Sequence, residues 1–136
     1  MKYLFSITLI FLLIGCSINN HITYDKKLNG TWIPVKQELA GKELPAALYA
    51  NYTLIIADSI YKYTELDKEI LQFQKGKIDI YGKDGINAGK HYTAIYKIEN
   101  QQLIICYNLS GDSYPSAFET ASNPKFFLSV FKRKNE

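Results

Sequence analysis

The sequence has few of the residues from which catalytic and metal sites are usually built. Its 136 residues include only two histidines and two cysteines. Two histidines, His21 and His91, are too few for a histidine-based zinc site, so we predict no metal and no other cofactor. Lysine and arginine together number 16 against 13 acidic residues, a formal net charge of +3. So balanced a charge does not indicate nucleic-acid binding.

Sequence motifs of enzyme active sites are also missing. The glycine-rich segment 82–90 lacks the P-loop arrangement of glycine before and Ser or Thr after its lysine, and Ile86 stands where a calcium loop needs an oxygen ligand. Ser113 lacks the flanking glycines of a nucleophile elbow, and no histidine motif accompanies Cys106. We therefore predict that the protein is not an enzyme. Three acidic residues surround a predicted hairpin tip, where solvated carboxylates are favoured over a glycosidase pair: Glu65, Asp67 and Glu69.

The N-terminal segment has the most specific pattern in the chain. Lys2 precedes an apolar stretch, residues 3–14, and Leu-Ile-Gly-Cys occupies positions 13–16, where this stretch ends. The stretch is shorter than the roughly 20 residues that span a bilayer, but it has the length of a signal-peptide core. Residues 13–16 resemble the lipobox of bacterial lipoproteins at all four positions. The alternative is an ordinary secretory signal followed by an unrelated cysteine.

The resemblance to lipoproteins implies that residues 1–15 are a removed signal peptide and that Cys16 carries a diacylglycerol, which makes the membrane a partner. Two or three acyl chains, at about 0.8 kcal/mol per buried methylene, anchor more firmly than one. Ser17 is not the aspartate that retains many lipoproteins at the inner membrane, so we expect an outer-membrane anchor facing the periplasm. Residues 16–27 are polar and aperiodic and are predicted to be a flexible tether. With Cys16 acylated, Cys106 is expected to be a buried, inert thiol.

Residues 28–136 have the pattern of a single all-β domain. Short β-branched and aromatic runs alternate with polar turns, which is typical of consecutive antiparallel strands. The exceptions are a helical turn within 45–50 and the loops 82–90 and 108–125. Because hardly any helix could cover a sheet, we predict an eight-stranded up-and-down barrel. The predicted strands are 31–39, 52–57, 59–66, 69–75, 77–81, 91–98, 101–107 and 126–133.

A Gly-x-Trp pattern opens the first predicted strand. Gly30 and Trp32 there, with Arg133 near the end of the last strand, resemble the lipocalin-type barrel. That resemblance implies that the tryptophan plugs the closed end of the barrel and that the guanidinium packs over its ring. The alternative is that Trp32 is simply a large core residue.

Further short motifs, in order and spacing, resemble the bacterial lipocalin-like domain of unknown function first defined from planctomycete proteins. The resemblance covers nearly all of residues 28–134. Members commonly carry Arg-Pro where this chain has Tyr114 and Pro115, so no anionic contact is carried over from that arginine. The motifs are at 30–32, 41–45, 77–80, 88–91, 94–96, 103–107, 114–120 and 132–133.

Two pairs of tyrosines are the candidate ligand-binding residues. Tyr61 and Tyr63 share one face of a predicted strand, and Tyr92 and Tyr96 share a face of another. If these faces point inward, they line a pocket with apolar rings and orienting hydroxyls. If they point outward, they form a surface for a partner protein. The remaining alternative is that they fill the core, because side chains alone can fill an eight-stranded barrel.

Two functions of different classes follow. In the first, the barrel binds a small apolar ligand or lipid at its open end, which predicts an interior cavity of several hundred Å³. In the second, the barrel is filled and the protein is a non-enzymatic interaction module of the envelope-stress, assembly or immunity type. An envelope protein would then bind the loops 82–90 and 108–125.

Overall fold

A computed structural model describes residues 24–63 and 67–135 of the chain. The predicted signal peptide, Cys16 and the tether up to residue 23 lie outside the described residues. Within the described part, no helix is long and apolar enough to cross a membrane; the helical elements there are 3₁₀ turns at Lys26–Leu28, Ala46–Leu48 and Gly85–Asn87. The strands are β1 Gly30–Leu39, β2 Lys42–Glu43, β3 Leu54–Ala57, β4 Ile60–Tyr63, β5 Asp67–Gln74, β6 Lys77–Gly82, β7 His91–Glu99, β8 Gln102–Asn108 and β9 Phe126–Arg133.

Eight of these strands form the predicted antiparallel barrel. From β3 to β9, each strand pairs with the next along the chain, and β1 pairs with both β3 and β9. The pairing of β1 with β9, which places Trp32 opposite Arg133, returns the sheet onto itself. The all-β, up-and-down prediction is therefore confirmed.

Among the neighbouring strands of the barrel, β1 and β3 share the shortest pairing. Their pairing covers only Gly30–Trp32 of β1, because β3 begins at Leu54 and not at residue 52 as predicted. Beyond that point β1 instead pairs with β2, a two-residue strand absent from the prediction. The barrel is consequently nearly closed, with its weakest seam at this position.

The meander gives the barrel two different ends. The end that we call closed holds the 3₁₀ turn Lys26–Leu28, the tight connections at 58–59, 75–76 and 100–101, and the end of β9. The opposite, open end holds the long connections 40–53, 83–90 and 109–125.

The loop 109–125 covers part of the outer wall. Alternate residues of β8 point into the barrel, which turns Cys106 outward, yet Cys106 is fully buried because the loop lies over it. Its thiol is 3.6 Å from the carbonyl oxygen of Glu119. Burial raises the pKa of Cys106 to about 11, so the thiol stays protonated at neutral pH.

Candidate functional site

Trp32 lies at the closed end with almost no exposed surface. Its indole N–H donates a 2.7 Å hydrogen bond to the carbonyl of Leu28. The guanidinium carbon of Arg133 lies 4.3 Å from the centroid of the ring. The two terminal nitrogens of the same guanidinium donate to the carbonyls of Asn29 and Lys27, at 2.9 and 2.6 Å. Arg133 therefore holds the chain before β1 across the tryptophan.

Gly30 is packed against Arg133 of the same pair at the closed end. Its φ is +136°, and a Cβ there would lie 2.6 Å from a guanidinium nitrogen of Arg133. Any side chain at position 30 would thus be strained and would displace the arginine. Part of the segment assigned to the tether also contacts the barrel: the ring of Tyr24 meets Phe73 edge-on at 6.1 Å.

The open end contains a cavity of about 200 Å³, which we call the cup. It lies above the filled part of the barrel, and Leu109, 42% exposed, stands at its mouth. None of its eight lining side chains is charged, and most of the wall is aromatic or aliphatic carbon. The lining residues are Tyr61, Tyr63, Ile80, Asn87, Tyr92, Tyr107, Leu109 and Phe127.

Three of the four tyrosines singled out in the sequence meet at the cup. Tyr61, Tyr63 and Tyr92 line it, whereas Tyr96 does not. Tyr96 is on the same face of β7 as Tyr92 but four residues further along, roughly 13 Å nearer the closed end. There its ring packs against Phe73, and its hydroxyl donates to Asp25 at 3.2 Å.

The hydroxyl groups of the cup are already hydrogen-bonded to protein atoms. Tyr61 and Tyr107 share a 2.8 Å bond between their hydroxyls, and Tyr92 donates to the side-chain oxygen of Asn87 at 3.0 Å. The Gln37 amide donates to the Tyr63 hydroxyl at 2.5 Å. Burial raises the pKa of Tyr63 to about 12. At neutral pH the cup therefore presents an uncharged surface suited to an apolar molecule.

The cup is smaller than the cavity of several hundred Å³ predicted for a ligand carrier, but the barrel is not completely filled, as predicted for an interaction module. Its volume of about 200 Å³ corresponds to roughly six or seven water molecules in the liquid. Drug-sized ligands usually occupy about 300–1,000 Å³, whereas an apolar cavity of about 150 Å³ binds benzene. The interior is smaller than expected because large side chains fill the rest of the barrel: Leu28, Trp32, Ile78, Leu103 and Phe131.

Sequence reasoning did not select the other cup residues. Tyr107 and Phe127 were within predicted strands, and period-two alternation from Leu103 and Phe131 would have placed both inside. Asn87 had no such signal because it comes from a loop. That loop reaches the barrel because residue 82 is glycine: a Cβ there would lie 1.7 Å from the carbonyl oxygen of Asn87.

A polar cluster on the outer wall was also missed. Asp79 accepts a 2.5 Å hydrogen bond from the Tyr114 hydroxyl, and its other oxygen lies 2.7 Å from His91 Nε2. The ring of Tyr81 stacks on His91 at 4.6 Å. Burial and the contact with Asp79 raise the pKa of Tyr114 to about 12. The cluster fixes the loop 109–125 to the barrel. It does not form a metal site, since no three His, Cys, Asp or Glu side chains among the described residues are grouped to hold a metal ion.

No protein-family model matches the chain, and no curated protein sequence matches it. The resemblance to the lipocalin-like family therefore stays a prediction, and the barrel is established by the structure itself.

Proposed function

We propose that the protein is a membrane-anchored lipocalin-like lipoprotein of the cell envelope that binds a small apolar ligand in the cup. The observation that carries this proposal is the uncharged, aromatic cavity of about 200 Å³ at one end of an otherwise filled barrel. The cup is open at its mouth, so its aromatic and aliphatic wall faces solvent. A ligand that enters the cup would remove this apolar surface from water.

The cup limits the ligand to one ring or a short hydrocarbon segment. A longer lipid would place only its terminal carbons between Ile80, Tyr107 and Phe127, and the rest would extend past Leu109. With the lining hydroxyls bonded to one another or to neighbouring amides, affinity would come mainly from apolar area, at about 25 cal/mol per Å².

The anchor rests on the sequence at residues 13–16. Lipidation of Cys16 would hold the barrel at the envelope, with the periplasmic face of the outer membrane as the expected location. Replacing Cys16 by serine should release the protein from membranes or leave it unprocessed. Unchanged fractionation and processing of Cys16→Ser would overturn this part of the proposal.

Toluene binding to residues 17–136 tests the cup directly. In a titration followed by NMR, backbone signals of Ile80, Tyr92 and Phe127 should shift together, while the indole N–H signal of Trp32 should not. The variant Leu109→Trp, which places a large ring at the mouth of the cup, should weaken binding at least tenfold.

Leu48→Trp is the matched control for that variant. Leu48 is also an exposed leucine of an open-end connection, but it does not line the cup. It should leave toluene binding unchanged. Equal loss in both variants, or shifts that include the Trp32 indole, would contradict binding in the cup.

A protein-interaction role is the second candidate. Four exposed apolar side chains at the open end favour it, because a partner could cover them: Leu48, Tyr52, Ile86 and Leu109. Native mass spectrometry of the protein purified from its own envelope separates the two functions. A co-purifying small molecule supports the ligand carrier, and a stoichiometric protein supports the interaction module.

A further inference from the structure

The positive charge of the barrel is concentrated at its closed end. Besides Lys77, whose ammonium lies 4.8 Å from the ring of Tyr114, five exposed lysines lie there on three separate parts of the chain: the 3₁₀ turn before β1, the connection from β5 to β6, and the end of β9. None of them forms an ion pair with another described residue, since the lysine ion pairs of the described chain involve Lys36 and Lys97. We call these five residues the collar: Lys26, Lys27, Lys75, Lys132 and Lys134.

The acidic residues at this end are bonded to other groups. Asp25 accepts from the Tyr96 hydroxyl, Asp58 accepts from Asn29 at 2.9 Å, and Glu99 pairs with Lys97 at 3.1 Å. These carboxylates reduce the field of the collar but do not neutralise it.

The open end has no comparable excess of positive charge. Its exposed lysines are interspersed with carboxylates in the same connections: Asp84 follows Lys83, and Asp112 and Glu119 share a loop with Lys125. The asymmetry is therefore a property of the folded barrel, because the lysines of the collar are scattered in the sequence.

We propose that the collar rests on an anionic lipid surface and turns the cup away from the membrane that holds the anchor. The proposal rests on the lipidation of Cys16 in the proposed function. Tyr24 is at the closed end, and the eight residue steps from Cys16 to Tyr24 can extend at most about 29 Å. A lipid on Cys16 is thus attached to the barrel through its closed end, the end that carries the collar.

The chemistry of the closed end matches an anionic headgroup layer. Each lysine near such a surface favours contact about fivefold. Tyr24 and Ile98, 38% and 41% exposed at the same end, add apolar groups for the boundary between headgroups and acyl chains. In this orientation the cup would exchange its ligand with the aqueous compartment and not with the anchoring leaflet.

The single tryptophan of the chain makes the orientation measurable. Trp32 lies at the closed end, so energy transfer from Trp32 to a dansyl-labelled lipid reports how near that end is to the headgroups. We would reconstitute the full-length, processed protein in vesicles of phosphatidylcholine alone and in vesicles containing phosphatidylglycerol. Transfer should be higher with phosphatidylglycerol and should fall toward the phosphatidylcholine value as salt is raised.

Two quadruple variants with the same change in charge complete the experiment. Replacement of Lys26, Lys27, Lys132 and Lys134 by glutamine leaves only Lys75 of the collar and should remove most of the difference between the two lipids. The matched variant replaces four exposed lysines of the open end and should keep the difference: Lys42, Lys83, Lys90 and Lys125.

Equal transfer in both lipids, or equal loss in both variants, would overturn the collar proposal. Flotation of the wild-type protein with phosphatidylcholine vesicles at high salt tests the lipid anchor separately from the collar. If the protein floats but transfer does not depend on lipid charge, the collar fails while the anchor stands. If it does not float, the anchor fails.

Discussion

The closed and open ends of this barrel are built from the same eight strands but are packed in opposite ways. At the closed end, Trp32 is fully buried beneath Leu28 and Arg133, and each of its polar contacts is made within the protein. At the open end, Tyr61 of β4 and Tyr107 of β8 bond to each other across the barrel interior, and the cup lies above them. The size of the inward side chains at each level, and not the strand count, thus decides where the barrel is solid.

The largest expected effect comes from emptying the closed end. Trp32→Ala should destabilise the protein by about 3–5 kcal/mol because it removes the largest fully buried side chain and leaves a void. Urea unfolding followed by circular dichroism measures this. A loss below about 1 kcal/mol would mean that the closed end is not the solid part of the barrel.

Arg133→Ala should cost less, about 1–2 kcal/mol. The variant removes the contact with Trp32 and two hydrogen bonds to backbone carbonyls, but the guanidinium is exposed to solvent. Its neighbour Lys132 is the control, and Lys132→Ala should change stability by no more than about 0.5 kcal/mol in the same assay. Equal effects of the two variants would mean that Arg133 stabilises the closed end no more than its neighbour Lys132 does.

Alkaline pH should weaken both ends together. The pKa values of Tyr63, at the cup, and Tyr96, near the closed end, are raised to about 12, mainly by burial. Since an unfolded tyrosine titrates near 10, the stability from these neutral hydroxyls is complete below pH 10. It should be lost as the pH rises from 10 to 12, and because both side chains are partly exposed to solvent, the loss should stay well below the limit of about 1.4 kcal/mol per pH unit and group.

Unfolding free energies measured across this interval, with tyrosinate absorbance recorded in parallel, test the pH prediction. Tyr63→Phe should make the fall in stability less steep. A protein whose tyrosines all ionise near pH 10 without losing stability would contradict the burial of these hydroxyls.

The smallest effect is expected at the wall of the cup. Tyr61→Phe removes one hydroxyl from the bond with Tyr107 while keeping the ring, so we expect a loss of about 1 kcal/mol or less. Differential scanning calorimetry should show a small decrease in Tm. A loss as large as that of Trp32→Ala would show that the open end is as tightly constrained as the closed end.

Strand alternation and turn residues were enough to predict the barrel, because most of its pairings are between neighbours in sequence. The same alternation placed Tyr61 and Tyr63 on one strand face, but it left open whether this face and that of Tyr92 point into a cavity, into the core or outward. Tyr96 does not line the cup because alternation determines the strand face on which a side chain lies, but not its position along the barrel axis.

Two features of the cup depend on geometry that the alternation of inward and outward side chains does not determine. A register shift between Pro34 and Lys36 in β1 reverses the inward parity of the strand, which turns Gln37 toward Tyr63. Asn87 reaches the cup from a loop whose path depends on the bare backbone at Gly82. The filled lower interior, and with it the small volume of the cup, depends on how large side chains from six or more strands interlock.

A crystal structure of the protein under xenon pressure would show directly whether the barrel is solid at its closed end and accessible at its open end. Xenon binds apolar cavities, so we expect a xenon atom in the cup between Ile80, Tyr107 and Phe127, and none beneath Trp32. A xenon atom at the closed end, or crystals that take up no xenon in the cup, would contradict a solid closed end and an apolar binding site at the open end.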